Sequence, residues 1–82
     1  MYAQQRGTET QKSAYFRRIA ESKRKQLEDA DIRLINSELE ARYFTNDGRP
    51  VPRELVNRID YYRRQCRTLK QEMHRALFHV EK

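Results

Sequence analysis

The sequence has few of the residues and patterns that define several large classes of protein. It contains one Cys, two Gly, two Pro and no Trp, and none of its apolar stretches approaches the roughly 20 residues that a membrane-spanning helix needs. A single Cys excludes a disulfide framework and fits a reducing compartment. Few Gly and Pro argue against collagen-like, linker-like and turn-rich β proteins. We therefore expect no membrane span, no secretory signal and a cytoplasmic location.

Charge is what the chain has in abundance. Charged residues make up 37% of its 82 residues, as do apolar residues, whereas charged residues are typically ~25% of a globular domain. The mean hydropathy is −1.15, so little apolar material is available for a thick core. The length allows one domain at most, since domains usually run to roughly 100–150 residues.

Local signals divide the chain into two helices and one short loop. Asn46, Asp47 and Gly48 are typical turn residues, and the prolines at 50 and 52 prevent the first helix from continuing. Thr8 and Gln11 have the spacing of a helix-capping box. The predicted organisation is a flexible N-terminus (1–7) and one domain (8–82), with a helix at 8–45, a loop at 46–51 and a helix at 52–80.

Each predicted helix carries an unbroken repeat of alternating three- and four-residue spacings, which is the pattern of a coiled coil. We call the two sets of positions the core seams. The first comprises Phe16, Ala20, Lys23, Leu27, Ala30, Leu34, Ser37, Ala41 and Phe44. The second comprises Leu55, Ile59, Tyr62, Cys66, Leu69, Met73, Ala76 and Val80. A short loop between two such seams predicts an all-α, antiparallel two-helix coiled-coil hairpin. In this register small residues oppose large ones, for example Ala30 opposite Leu69.

A second apolar stripe lies on the first helix, on the side away from its core seam. This helix 1 stripe consists of Ile32, Ile35, Leu39 and Tyr43. Single exposed apolar residues are ordinary on protein surfaces, but three large aliphatics at i, i+3 and i+7 predict contact with another chain. An isolated hairpin of this size is only marginally stable. We therefore expect a homodimer with a four-helix bundle, and burial on a different protein is the alternative.

The net charge of +6 is unevenly distributed. Residues 1–27 carry +5, residues 28–47 carry −4 and residues 48–82 carry +5. We call residues 28–47 the acidic block. An antiparallel hairpin places this block beside arginines 58, 63, 64 and 67 and Lys70, so this positive charge is expected to be paired. The charge predicted to stay unpaired forms a basic end away from the loop. Its members are Arg17, Arg18, Lys23, Arg24, Lys25 and Arg75. A solvated end, an acidic protein and nucleic-acid phosphate all remain open interpretations of it.

No constellation of residues points to catalysis or metal binding. Cys66 falls on a core seam, which predicts a buried, inert thiol. His74 and His79 are not on one helical face and have no partner cysteines, so they are not a zinc set. Glu38 and Glu40 lie on different faces of the helix and do not form an acid–base pair. We expect no enzyme activity, no cofactor and no small-molecule substrate.

These observations predict a small non-enzymatic protein–protein interaction or regulatory module, an adaptor or an inhibitor. It would act through the helix 1 stripe and the basic end. The alternative is a nucleic-acid-binding accessory protein whose basic end contacts the phosphate backbone. No motif identifies a family, although the size and the arginine content are typical of phage and plasmid accessory proteins.

Overall fold

Two long helices that pack against each other make up nearly all of the structure, a computed structural model that describes residues 10–81. Helix α1 spans Gln11–Asn46 (36 residues) and helix α2 spans Arg53–Glu81 (29 residues). Residues 10–81 contain no β-strand. The prediction of an all-α hairpin is thus confirmed. No helix within these residues is both long enough and apolar enough to cross a membrane.

The first helix begins later than the sequence suggested. Thr10 is extended (φ −82°, ψ 168°), and its hydroxyl accepts a hydrogen bond of 3.1 Å from the backbone N–H of Ser13. Thr10 is therefore the N-cap, and the prediction that the helix starts at Thr8 was wrong. Thr8 itself lies outside the described residues. Both threonines have the side-chain chemistry of a cap, so composition alone did not distinguish them.

The loop ends α1 with a hydrogen-bonded turn. The N–H of Arg49 donates to the Phe44 carbonyl (2.8 Å), and the N–H of Gly48 donates to the Thr45 carbonyl (3.0 Å). These two bonds form a Schellman motif, which requires a residue in the left-handed conformation just after the helix. Gly48 occupies that position, with a φ of +69°. Helix α2 then begins at Arg53, one residue later than predicted. Pro52 precedes the helix and offers its carbonyl to the first turn.

Contacts between the helices show that they run antiparallel, because residues later in α2 contact residues earlier in α1. These contacts include Glu40–Arg58 (3.2 Å), Glu38–Arg63 (3.1 Å), Asp31–Cys66 (3.3 Å), Lys23–Glu72 (3.0 Å) and the Phe16–His79 ring stack (4.6 Å). They agree with the register predicted from the core seams.

The core is a single thin layer between the helices. All seam positions are buried or half-buried. The most buried residues are Ala20, Ala30, Ser37, Leu55, Leu69 and Ala76. Four of these six are Ala or Ser, so the tightest part of the interface is built from small side chains. No side chain within residues 10–80 is less than 2% exposed, and two helices alone give limited apolar burial.

Candidate interaction surfaces

The helix 1 stripe is exposed along its whole length. The exposed fractions are 58% for Ile32, 54% for Ile35, 49% for Leu39 and 72% for Tyr43. Since each helical residue advances by about 100°, the four side chains fall within an arc of about 80°. This arc lies opposite the core seam that contains Ala30 and Ser37. Helix α2 therefore packs on the opposite face of α1, and the stripe is a second apolar face that α2 leaves uncovered.

Charged residues occupy the same face of α1 just before the stripe. Arg24 lies between two glutamates: its guanidinium donates to Glu21 (2.6 Å) and also to Glu28. The hydrogen bond from Arg24, together with its charge, lowers the pKa of Glu21. The outer face of α1 is thus divided along its length. Its N-terminal half carries a paired charge network, and its C-terminal half, which spans about 17 Å, is apolar.

The basic end is not the unpaired patch that the sequence suggested. Lys23 lies on the core seam and forms an ion pair of 3.0 Å with Glu72, and Arg24 is engaged by the two glutamates. Arg18, Lys25 and Arg75 have no ion pair within the described part of the chain. The expectation of six unpaired cations was therefore wrong. Four of the five basic positions between 17 and 25 fall within about 120° on the outer face of α1, whereas Lys23 faces α2 and Arg75 lies on the other helix.

Unpaired positive charge is found instead on the outer face of α2. We call this set the arginine row: Arg53, Arg64, Arg67 and Arg75. All four side chains are exposed, and none forms an ion pair with any residue from 10 to 81. The sequence interpretation assigned Arg64 and Arg67 to the acidic block of α1.

That assignment failed because Arg64 and Arg67 lie on the face of α2 that points away from α1, and the acidic residues of α1 have other partners. Glu28 pairs with Arg24, Asp29 pairs with Arg33 (2.9 Å), and Asp31 accepts the thiol hydrogen bond of Cys66. Of these acidic residues, Glu38 and Glu40 form ion pairs with arginines of α2. The order of charges along the two helices does not by itself predict the ion pairs between them, because pairs within α1 compete with pairs between the helices. The sequence did contain a signal for the arginine row: intervals of 11, 3 and 8 residues place its four members on one face of a helix.

A shallow groove of about 510 Å³ runs along one side of the hairpin. Two pairs of its polar side chains bond to each other: Arg33 bonds to Asp29, and the Gln65 amide donates to the Tyr61 hydroxyl (3.0 Å). The hydrogen bond to Asp29 raises the pKa of Arg33. Tyr61 packs edge-to-face on Tyr62, with 5.2 Å between ring centroids. Apart from Lys25, which has no ion pair in the described part of the chain, the charged side chains that line the groove pair with each other.

Cys66 has the surroundings of an unreactive thiol. Its sulfur is half-buried between the helices and donates to Asp31 Oδ1 at 3.3 Å. Burial, reinforced by the neighbouring Asp31 carboxylate, raises the pKa of the thiol to about 11. At neutral pH the group is protonated, whereas the thiolate is the nucleophile and metal ligand. Across residues 10–81, no three His, Cys, Asp or Glu side chains are grouped so that they could hold a metal ion.

Comparisons with protein-family models, curated proteins and solved structures gave no match to this chain. Function is therefore inferred from its own surfaces, of which two stand out. The helix 1 stripe is apolar and uncovered, and the arginine row is charged and unpaired.

Proposed function

We propose that the protein is a non-enzymatic interaction module that works by self-association through the helix 1 stripe. Two hairpins pair through α1 to form a four-helix bundle. One observation carries the proposal: Ile32, Ile35, Leu39 and Tyr43 are about half exposed or more, on the face of α1 that α2 does not cover. A helix with apolar residues on two opposite faces is typical of one that is buried on both sides.

A second copy of the chain carries the same apolar stripe and is therefore a matching occupant. Pairing the two stripes across a twofold axis covers both with one contact, since such an interface uses the same patch twice.

The boundary of the stripe also suits a protein interface. Interfaces typically have an apolar centre and a polar rim. Here the rim on the N-terminal side is the Glu21–Arg24–Glu28 network, whose charges are already paired within one helix. A partner can therefore cover the stripe without leaving an unpaired charge of this network buried.

The test is the dissociation constant measured by light scattering for the wild type and two variants. Ile35→Asp introduces a charge into the stripe, and Gln71→Asp introduces the same charge on the exposed outer face of α2. Burying the exposed half of Ile35 is worth about 1 kcal/mol per copy. Losing two copies weakens the dimer at least about 30-fold.

We expect the wild type to approach twice the 10.0 kDa chain mass. Gln71→Asp should associate as the wild type does, and Ile35→Asp should dissociate. A wild type that remains a monomer at every concentration contradicts self-association. Equal weakening by both variants contradicts the stripe as its site. A stable monomer that captures a different protein through Ile35 assigns the stripe to that partner instead.

A further inference from the structure

The arginine row extends over most of the length of α2. Arg53 and Arg75 are 22 residues apart, which corresponds to about 33 Å along the helix. The other residues of this face are polar and exposed: Asn57, Asp60, Thr68 and Gln71. Only Asp60 among them is acidic, so the face carries a net charge of +3. All eight positions fall within about 100° of helix surface, opposite the core seam of α2.

The geometry points to a second binding surface: the arginine row binds the phosphate backbone of a double-stranded nucleic acid. This function is separate from self-association, because the row and the helix 1 stripe lie on different helices and face away from each other. When two α1 helices pair, each α2 keeps its outer face free.

Charge and composition favour a nucleic acid over an acidic protein. From Arg53 to Arg75 the exposed apolar side chains, Val56 and Tyr61, lie at the edges of this face, whereas protein interfaces have an apolar, often aromatic, centre. Interfaces with nucleic acid are more polar and much more positive. Besides Arg, the side chains of Asn, Gln and Thr commonly donate to phosphate oxygens, and Asn57, Thr68 and Gln71 lie between the arginines.

The rigidity of the row favours a duplex over a single strand. A duplex presents about one negative charge per 1.7 Å along a stiff axis, so it matches a straight row of about 33 Å. Single-strand binding surfaces combine positive charge with several aromatic rings on which successive bases stack. Two exposed rings lie beside the row: Tyr61, whose hydroxyl accepts a hydrogen bond from Gln65, and Phe78, one turn beyond Arg75. These two rings are about 25 Å apart along the helix, so they do not form a platform on which successive bases stack.

The test is fluorescence anisotropy with labelled duplexes of about 15 base pairs, one DNA and one RNA, each longer than the row. A single strand of the same length and a polyglutamate peptide are the competitors. Four phosphate contacts predict a log–log salt slope of about −3.6, which is a loss of about 150-fold in affinity between 50 and 200 mM salt. The variant Arg64→Gln/Arg67→Gln should halve this slope, to about −1.8.

The control variant is Arg18→Gln/Lys25→Gln, which removes two unpaired charges from α1 and matches the change in net charge. It should keep the slope of the wild type, and circular dichroism should show that both variants remain helical. Failure to bind either duplex overturns the inference, as does equal weakening by the control variant. Tighter binding of the single strand also overturns it, and so does polyglutamate that competes as well as the duplex does. That last result would assign the row to an acidic protein.

Discussion

Replacing Ser37 by alanine is expected to stabilise the hairpin, although it removes a polar group from a charged, polar protein. Ser37 is the one polar residue in the most buried set, with 4% of its surface exposed. Its side-chain hydroxyl has no hydrogen-bond partner among residues 10–81. A buried hydroxyl without a partner costs roughly 1–3 kcal/mol. Serine is also a weaker helix former than alanine, by roughly 0.5 kcal/mol.

The expected gain for Ser37→Ala is about 1 kcal/mol or more in the free energy of unfolding, which corresponds to roughly 4–8 °C in Tm for a domain of this size. Urea denaturation followed by circular dichroism at fixed protein concentration measures it. Ser22→Ala is the control, because Ser22 is exposed on the same helix and its hydroxyl has a partner, the Gln26 amide at 3.2 Å. Its gain is therefore at most the propensity difference of about 0.5 kcal/mol. If Ser37→Ala gains no more than Ser22→Ala, or loses stability, the assignment of an unsatisfied buried hydroxyl is refuted.

Three further predictions concern the loop, the thiol and the register. Gly48→Ala should destabilise the hairpin by about 1 kcal/mol in the same denaturation assay, through backbone strain alone, because an added Cβ meets nothing within 4 Å; an unchanged stability contradicts the left-handed turn. The Cys66 thiol should be alkylated more slowly in the folded protein than in urea, and Asp31→Asn should speed the reaction by lowering the thiol pKa. Folding raises the pKa of this thiol from 9.0 to about 11. The stability that the protonated thiol contributes is therefore present below pH 9.0 and is lost as the pH rises toward about 11. Glu40→Arg should cost up to ~1 kcal/mol and the swap Glu40→Arg/Arg58→Glu should restore it, whereas a swap that adds to the loss contradicts the register.

The spacing of apolar residues was sufficient to predict the pairing of the helices, because an apolar side chain on a core seam is buried only against the other helix. Leu69 and Ala30 are both 6% exposed, in the layer where the seam pattern placed them opposite each other. The helix start was not decided by spacing, since Thr8 and Thr10 offer the same capping oxygen. Cap choice depends on the local backbone, which Thr10 adopts in its extended conformation.

Charge pairing was the part of the candidate surface that the sequence could not settle. The ion pairs depend on which of several reachable partners a long side chain meets, and Arg24 meets Glu21 and Glu28 on its own helix. Arg64 and Arg67 lie on the face of α2 opposite its core seam, away from the acids of α1. Unpaired charge therefore extends along α2, in addition to Arg18 and Lys25 on α1.

The central claim is that the helix 1 stripe is covered by the same stripe of a second copy. Intermolecular nuclear Overhauser effects, recorded on a mixture of isotope-labelled and unlabelled protein, test it directly. We predict cross-peaks from the methyl groups of Ile35 and Leu39 of one copy to protons of Ile32, Leu39 or Tyr43 of the other. A dimer whose intermolecular cross-peaks come from α2 alone, or a sample with no intermolecular cross-peaks, would contradict the claim.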